Sequence, residues 1–136
     1  MANQLLIKNT MQEMRALSAE EIAGLQGNTP IYSGVKLLGY YKKGDTPAPI
    51  IYYLAPNDPG PADGGSVIAT GGIKLIHNFV GNVNVLYFGT KGVEAGGQSP
   101  HPDDYPYIQN ALNYCDGKEK CVSLSGRKFY TSKTLP

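Results

Sequence analysis

Tryptophan is absent from this 136-residue chain, phenylalanine occurs 3 times, cysteine twice, and only 17% of the residues are charged. Each shortage removes a class of protein. Cys115 and Cys121 are too few for a disulfide framework. They read as reduced, packing cysteines, with a bridge across the short loop between them left open. No second Cys or His pair accompanies them, so they do not make a zinc site. The net charge is +1 and no long basic run occurs, which argues against binding nucleic acid through its phosphates. The Lys42-Lys43 pair reads as the solvated face of a turn.

Long apolar runs are missing as well. No stretch is long enough to span a bilayer. The run Leu5-Leu6-Ile7 is too short for a signal peptide's apolar region and has no cationic leader. The expectation is a protein made and used without Sec export and without membrane insertion.

What is present is turn formers and tyrosine. Glycine (17), proline (10) and tyrosine (10) are abundant, and hydrophobic residues make up 41% of the chain. That balance belongs to a folded, β-rich chain with much protein-facing surface.

Residues 1–15 show no clear periodicity and read as an arm that a partner would order. A short helix follows. Ser18 can cap it, Glu21 completes a capping box, Leu17 and Ile22 fit a hydrophobic staple, and Gly27 can stop it. So short a helix must dock, either on its own domain or on a neighbouring subunit. Val35–Tyr41 and Pro49–Ala55 read as strands joined by the turn Gly44-Asp45-Thr46-Pro47. Strand alternation would place one tyrosine of each pair, Tyr40-Tyr41 and Tyr52-Tyr53, on each face. Residues 57–65 form a loop, followed by strand candidates Ser66–Ala69, Ile73–Phe79 and Asn82–Phe88. A second helix is expected from about Asp104 to Tyr114. Asp103 or Asp104 would cap it, Pro106 would lie in its first turn, and Ile108, Ala111, Leu112 and Cys115 would form its apolar face. Residues 121–135 alternate like one or two further strands.

Candidate chemistry is sparse. Asp58 and Asp63 could offer oxygens to calcium, but their spacing is not that of an EF-hand loop and proline interrupts it. His77 and His101 lack a third ligand at any recognisable spacing. No nucleophile–base arrangement, P-loop or dinucleotide fingerprint occurs. Neither a catalytic residue, a metal nor a cofactor is therefore assigned.

From Asn82 onward the chain resembles the opening segment of the pectate-lyase-like right-handed β-helix superfamily. In that family a strand ends in a Phe-Gly-Ala-Lys-Gly-Asp-Gly type motif, an Asp-Asp-Thr helix start follows, and then a strand with a Pro-x-Gly-x-Tyr turn. The corresponding pieces here are residues 84–92 (NVLYFGTKG), 103–112 (DDYPYIQNAL) and 122–130 (VSLSGRKFY). Val93 stands where the family has aspartate, and Tyr105-Pro106-Tyr107 stands where small residues are usual. The resemblance implies a helix that caps the β-helix. Phe88, Gly89, Asp103, Asp104, Ile108 and Leu112 would form that cap and the first coil, with Asp103 and Asp104 as caps and loop anchors. A glycosidase carboxylate pair is the competing reading of those two residues.

Residues 15–85 are similar to a module that precedes such segments in fibres and tailspikes of Bacteroidota-infecting phages. Leu38–Tyr41, Gly44–Ile50, Asp63–Ile68 and Gly72–Leu75 carry this likeness. It implies a virion protein assembled in the host cytoplasm. It also implies a homotrimer that contacts a tail, collar or capsid adaptor and reaches host glycan only through a part C-terminal to this sequence.

The combined expectation is a mainly β protein: a small antiparallel β module, a capping helix and the first coil of a right-handed parallel β-helix. Residues 1–30 would be an attachment arm and helix, 31–88 the β module and 89–136 the β-helix start. Attachment would use Leu5, Leu6, Ile7, Met14, Leu17, Ile22 and Leu25. The expected role is structural and non-enzymatic. The alternatives are the N-terminal part of a polysaccharide lyase or hydrolase, or a carbohydrate binder using Tyr40, Tyr41, Tyr52 and Tyr53.

Overall fold

The computed structural model describes residues 4–91, 103–118 and 122–124. The chain divides into two compact units, residues 1–78 and 79–136.

The first unit runs β1 (Gln4–Lys8), α1 (Met11–Met14), α2 (Ala19–Leu25), β2 (Tyr32–Leu37), β3 (Ile50–Leu54), β4 (Val67–Thr70) and β5 (Ile73–Ile76). Its strands form one five-stranded sheet in the order β1-β2-β3-β5-β4. β1 lies parallel to β2, and the remaining neighbours are antiparallel. A parallel pair cannot be closed by a tight turn and needs a crossover, which α1 and α2 supply.

Both helices are capped as local chemistry dictates. Thr10 Oγ1 accepts from Glu13 N at 3.2 Å at the start of α1. At α2, Ser18 Oγ accepts from Glu21 N at 3.1 Å, and Glu21 Oε1 accepts from Ser18 N at 3.0 Å. Two otherwise unmatched amides are thus satisfied reciprocally. Gly24 lies late in α2, where glycine costs about 0.5–1 kcal/mol relative to alanine. A Cβ there would meet the Tyr32 ring at 2.6 Å, so its absence lets that ring lie against the helix.

Strand alternation assigns the two sheet faces. One face carries Leu6, Val35, Leu37, Tyr52, Ile68 and Leu75, which join Met11, Met14, Leu17 and Leu25 of the helical segment in the core. Burial of each such side chain contributes roughly 1.5–3 kcal/mol. The opposite face carries Leu5, Ile7, Ile51, Tyr53 and Ile76, placed by the register pairs Ile7↔Lys36, Lys36↔Ile51 and Tyr53↔Ile76.

The second unit contains β6 (Val83–Asn84), a 3-10 helix (Val85–Phe88), α3 (Tyr105–Cys115) and β7 (Val122–Ser123). β6 and β7 pair in parallel, Val83 with Val122 and Asn84 with Ser123. Val83, Val85, Phe88, Ile108 and Ala111 are buried. Phe79, Phe88 and Tyr114 cluster at centroid distances of 5.6–6.0 Å.

This architecture overturns the mainly β expectation. The described residues form a mixed α/β protein with one mixed sheet, one parallel sheet and three α-helices, not a small antiparallel module leading into a right-handed β-helix. Three local causes can be named. Residues 4–8 pair in parallel with β2 and bury Leu6, so the expected arm becomes the parallel edge strand β1. The strand expected over Asn82–Phe88 lasts two residues, because Asn84 Oδ1 accepts from Leu86 N at 2.9 Å and starts a 3-10 turn. β2 ends at Leu37 rather than Tyr41, because the chain there turns around the Asp45 carboxylate. The strands expected beyond Leu124 lie outside the described residues.

Candidate functional site

Leu38–Thr46 is a loop of the first unit organised around one carboxylate. Asp45 Oδ1 accepts from Tyr40 N at 2.6 Å, while Oδ2 accepts from Tyr41 N at 2.9 Å and Lys42 N at 3.2 Å. One carboxylate therefore satisfies three consecutive backbone donors. Gly44 N adds a bond to Leu38 O at 3.0 Å, and Met11 N donates to Tyr40 O at 2.8 Å. Gly39 is required here, since any Cβ would collide with the Lys42 carbonyl oxygen.

This frame sets the two tyrosines in opposite environments. Tyr40 is buried, and its hydroxyl donates to Gly64 O at 2.7 Å. Arg15 donates to that hydroxyl at 3.3 Å and places its guanidinium carbon 5.9 Å from the ring centroid. Tyr41 is 44% exposed and contacts the Tyr40 ring at 5.0 Å between centroids. Thr10, Met11, Gln12, Arg15, Tyr40 and Tyr41 line a cavity of about 170 Å³.

The other pair divides by strand alternation. Tyr52 is fully buried and donates to Gly65 O at 2.6 Å, while Tyr53 is 51% exposed. The four tyrosines thus do not form one sugar platform, because Tyr40 and Tyr52 are core residues with committed hydroxyls.

The loop aspartates organise backbone. Asp63 accepts from Gly65 N, Ser66 N and Val67 N at 2.7–2.9 Å, and also from the Ser66 hydroxyl. Asp58 accepts from Gly60 N at 3.0 Å and from Lys74 Nζ at 3.2 Å, and these donors hold its carboxyl below the usual range. His77 Nδ1 lies 2.8 Å from Ile51 O and its amide donates to Ser66 O, a structural role between strands. His101 and Cys121 lie outside the described residues; Cys115 is buried on α3. Among the described residues no group of three His, Cys, Asp or Glu side chains could hold a metal ion. Among them, too, no helix is long and apolar enough to cross a membrane.

The residues expected to attach the chain are placed mostly inside it. Leu6, Met14, Leu17 and Leu25 are buried in the first unit's own core, and Ile22 packs against it. Thus α2 docks on its own sheet. Leu5 is half-buried and Ile7 is 61% exposed.

In the second unit Phe88 is fully buried, and Gly89 closes the 3-10 helix at φ 101°. Asp103 is exposed and accepts from Tyr105 N at 3.0 Å. Asp104 is fully buried and accepts from Lys91 N at 2.8 Å. Asp104 occupies the N-cap of α3 without a side-chain cap bond. Ile108 is buried and Leu112 half-buried.

Sequence reasoning missed Arg15 and Asp45. Arg15 carried no signal, because its partner Tyr40 is distant in the chain. Asp45 was read only as turn chemistry, although an aspartate following Gly-Tyr-Tyr-Lys-Lys-Gly hints that amides need an acceptor.

No family model matches this chain, and no curated protein matches it.

Proposed function

We propose that the chain is a structural component of a phage virion, one that joins a fibre or tailspike to the particle and associates with further copies of itself as a trimer. The observation that carries this is the sheet face opposite the helices. Leu5, Ile7, Ile51, Tyr53 and Ile76 line it, and Ile7 and Tyr53 remain more than half exposed. Lys36 shares this face between Ile7 and Ile51, and exposed apolar residues beside a cation suit protein contact. The phrases that resemble phage fibre modules include Gly39, Tyr40, Asp63 and Leu75, which are turn and core positions of this same sheet. The reading thus rests on a module likeness and an apolar face, and assigns no catalysis to the chain. The polysaccharide lyase or hydrolase alternative depended on a β-helix and is not carried forward.

Sedimentation analysis of the full chain at micromolar concentration tests the proposal, together with binding to particles stripped of their fibres. A trimer that binds such particles is expected. Ile7→Lys with Tyr53→Lys should shift it toward monomer without changing its circular dichroism. A wild-type monomer that ignores the particles would overturn the proposal.

A further inference from the structure

The two edges of the five-stranded sheet are finished differently. β4 forms one edge and β1 the other. Ser66 O accepts from His77 N, so alternation turns the backbone groups of Val67 and Ala69 away from β5. Those of Val67 are already used. Its amide donates to Asp63 Oδ1 at 2.9 Å, and its carbonyl accepts from Asp63 N at 3.0 Å. Among the described residues Ala69 alone is left open along that short edge.

At β1 the same alternation leaves an open edge. Lys8 O accepts from Leu38 N at 2.9 Å, so Lys8 and Leu6 direct their backbone groups toward β2. The N–H and C=O of Leu5 and Ile7 point the other way, and among the described residues neither a strand nor a side chain meets them. Leu5–Lys8 keeps one regular register and carries neither proline nor bulge, two devices that blunt an edge. Lys8, the one charge on the strand, is held by Glu21 at 2.8 Å. Ile7 stands beside this edge 61% exposed.

The open groups are spaced to match themselves. An antiparallel pair exchanges two hydrogen bonds at every second residue. When two copies of β1 meet about a twofold axis at Leu6, Leu5 of each faces Ile7 of the other. Every open N–H and C=O of both residues then has a partner. The same register makes an apolar Leu5–Ile7 cross-strand pair twice on the face away from the helices. It also sets Lys8 opposite Gln4, so the two Lys8 charges do not face each other. We infer that the β1 edge is a docking site for the β1 edge of a second copy, paired antiparallel so that two sheets become one. The contact is isologous. It is separate from the threefold association through the sheet face and does not rest on the virion role.

Amide hydrogen exchange of the full chain, read by NMR as a function of its own concentration, tests the contact residue by residue. So small an interface should have a dissociation constant on the order of 1 mM. At micromolar concentration the Leu5 and Ile7 amides should exchange freely, while the Leu6 amide is protected by β2. At roughly 3 mM mass action places about two thirds of the chains in pairs, so exchange at Leu5 and Ile7 should slow about threefold. Ile7→Pro removes an outward N–H and no bond to β2, a change that an edge strand tolerates. It should abolish the concentration-dependent protection of Leu5 with unchanged circular dichroism. Tyr53→Lys alters the sheet face and not the edge, and should leave that protection intact. The inference is overturned by Leu5 and Ile7 amides already protected at micromolar concentration, or by exchange there that does not slow with concentration. Full protection of Leu5 in Ile7→Pro, or its loss in Tyr53→Lys, would overturn it equally.

Discussion

Asp45 Oδ1 accepts the Tyr40 amide at 2.6 Å, and this bond links the exposed loop to the core of the first unit. Tyr40 carries the connection inward through its buried ring and its hydroxyl bond to Gly64 O. Asp45→Ala removes the acceptor of three amides at once. Hydrogen bonds to a charged group contribute about 1.5–3 kcal/mol, and part of that is regained from water at this half-exposed loop. A loss of about 2 kcal/mol in urea unfolding is expected, with Asp45→Asn retaining some of it. Unchanged stability in Asp45→Ala would show that the loop does not depend on its carboxylate.

Tyr52 and Tyr53 are neighbours with opposite fates. Tyr52→Phe leaves Gly65 O without its buried donor and should cost about 1–3 kcal/mol. Tyr53→Phe alters a half-exposed ring and should stay within about 0.5 kcal/mol of wild type. Paired thermal melts compare the two directly, and equal effects would contradict the assignment of faces.

At Gly24 two effects oppose each other. Helix propensity favours alanine by about 1 kcal/mol. The added Cβ would lie 2.6 Å from the Tyr32 ring, and displacing a packed ring costs about 1–3 kcal/mol. Gly24→Ala should therefore destabilise the chain. A raised melting temperature would mean that Tyr32 moves aside freely.

Glu21 gives the protein an acid-sensitive contact. The hydrogen bond from Lys8 Nζ at 2.8 Å holds its carboxyl below the ordinary glutamate range, and the Ser18 amide adds to the effect. A carboxyl depressed in the folded state stabilises the fold fully above its unfolded pKa, about 4.3. That contribution is lost as pH falls from there through the lower folded value. The pair is partly exposed, at 19% for Lys8 and 24% for Glu21, so the effect should be under about 1 kcal/mol. Glu21→Gln should lower stability at pH 7 and reduce the decline between pH 5 and pH 3. An identical decline in both proteins would rule out this linkage.

Much of the first unit was legible along the chain. Ser18 and Glu21 identify α2 because a capping box depends only on residues close in sequence. The Tyr-Tyr alternation of β3 and the turn glycines between β4 and β5 were readable for the same reason. Tyr105–Cys115 was found to within a residue from its apolar spacing and its N-terminal proline.

What the tertiary structure alone decided involves residues distant in sequence. Residues 4–8 look featureless by themselves, yet beside β2 they bury Leu6 and become a parallel strand, so the attachment set lies largely in the core. Arg15 has meaning only because Tyr40 is brought beneath it. The β-helix expectation failed on the same ground. Local motifs specify a strand, a helix and a strand, but the pairing of β6 with β7 and the sheet that forms ahead of them are set by non-local hydrogen bonds and burial. Sequence by itself determined the caps, turns and short elements, whose energetics are local. Sheet order, the buried and exposed faces, and the cavity at Tyr41 required the folded chain, because only there do distant side chains compete for the same space.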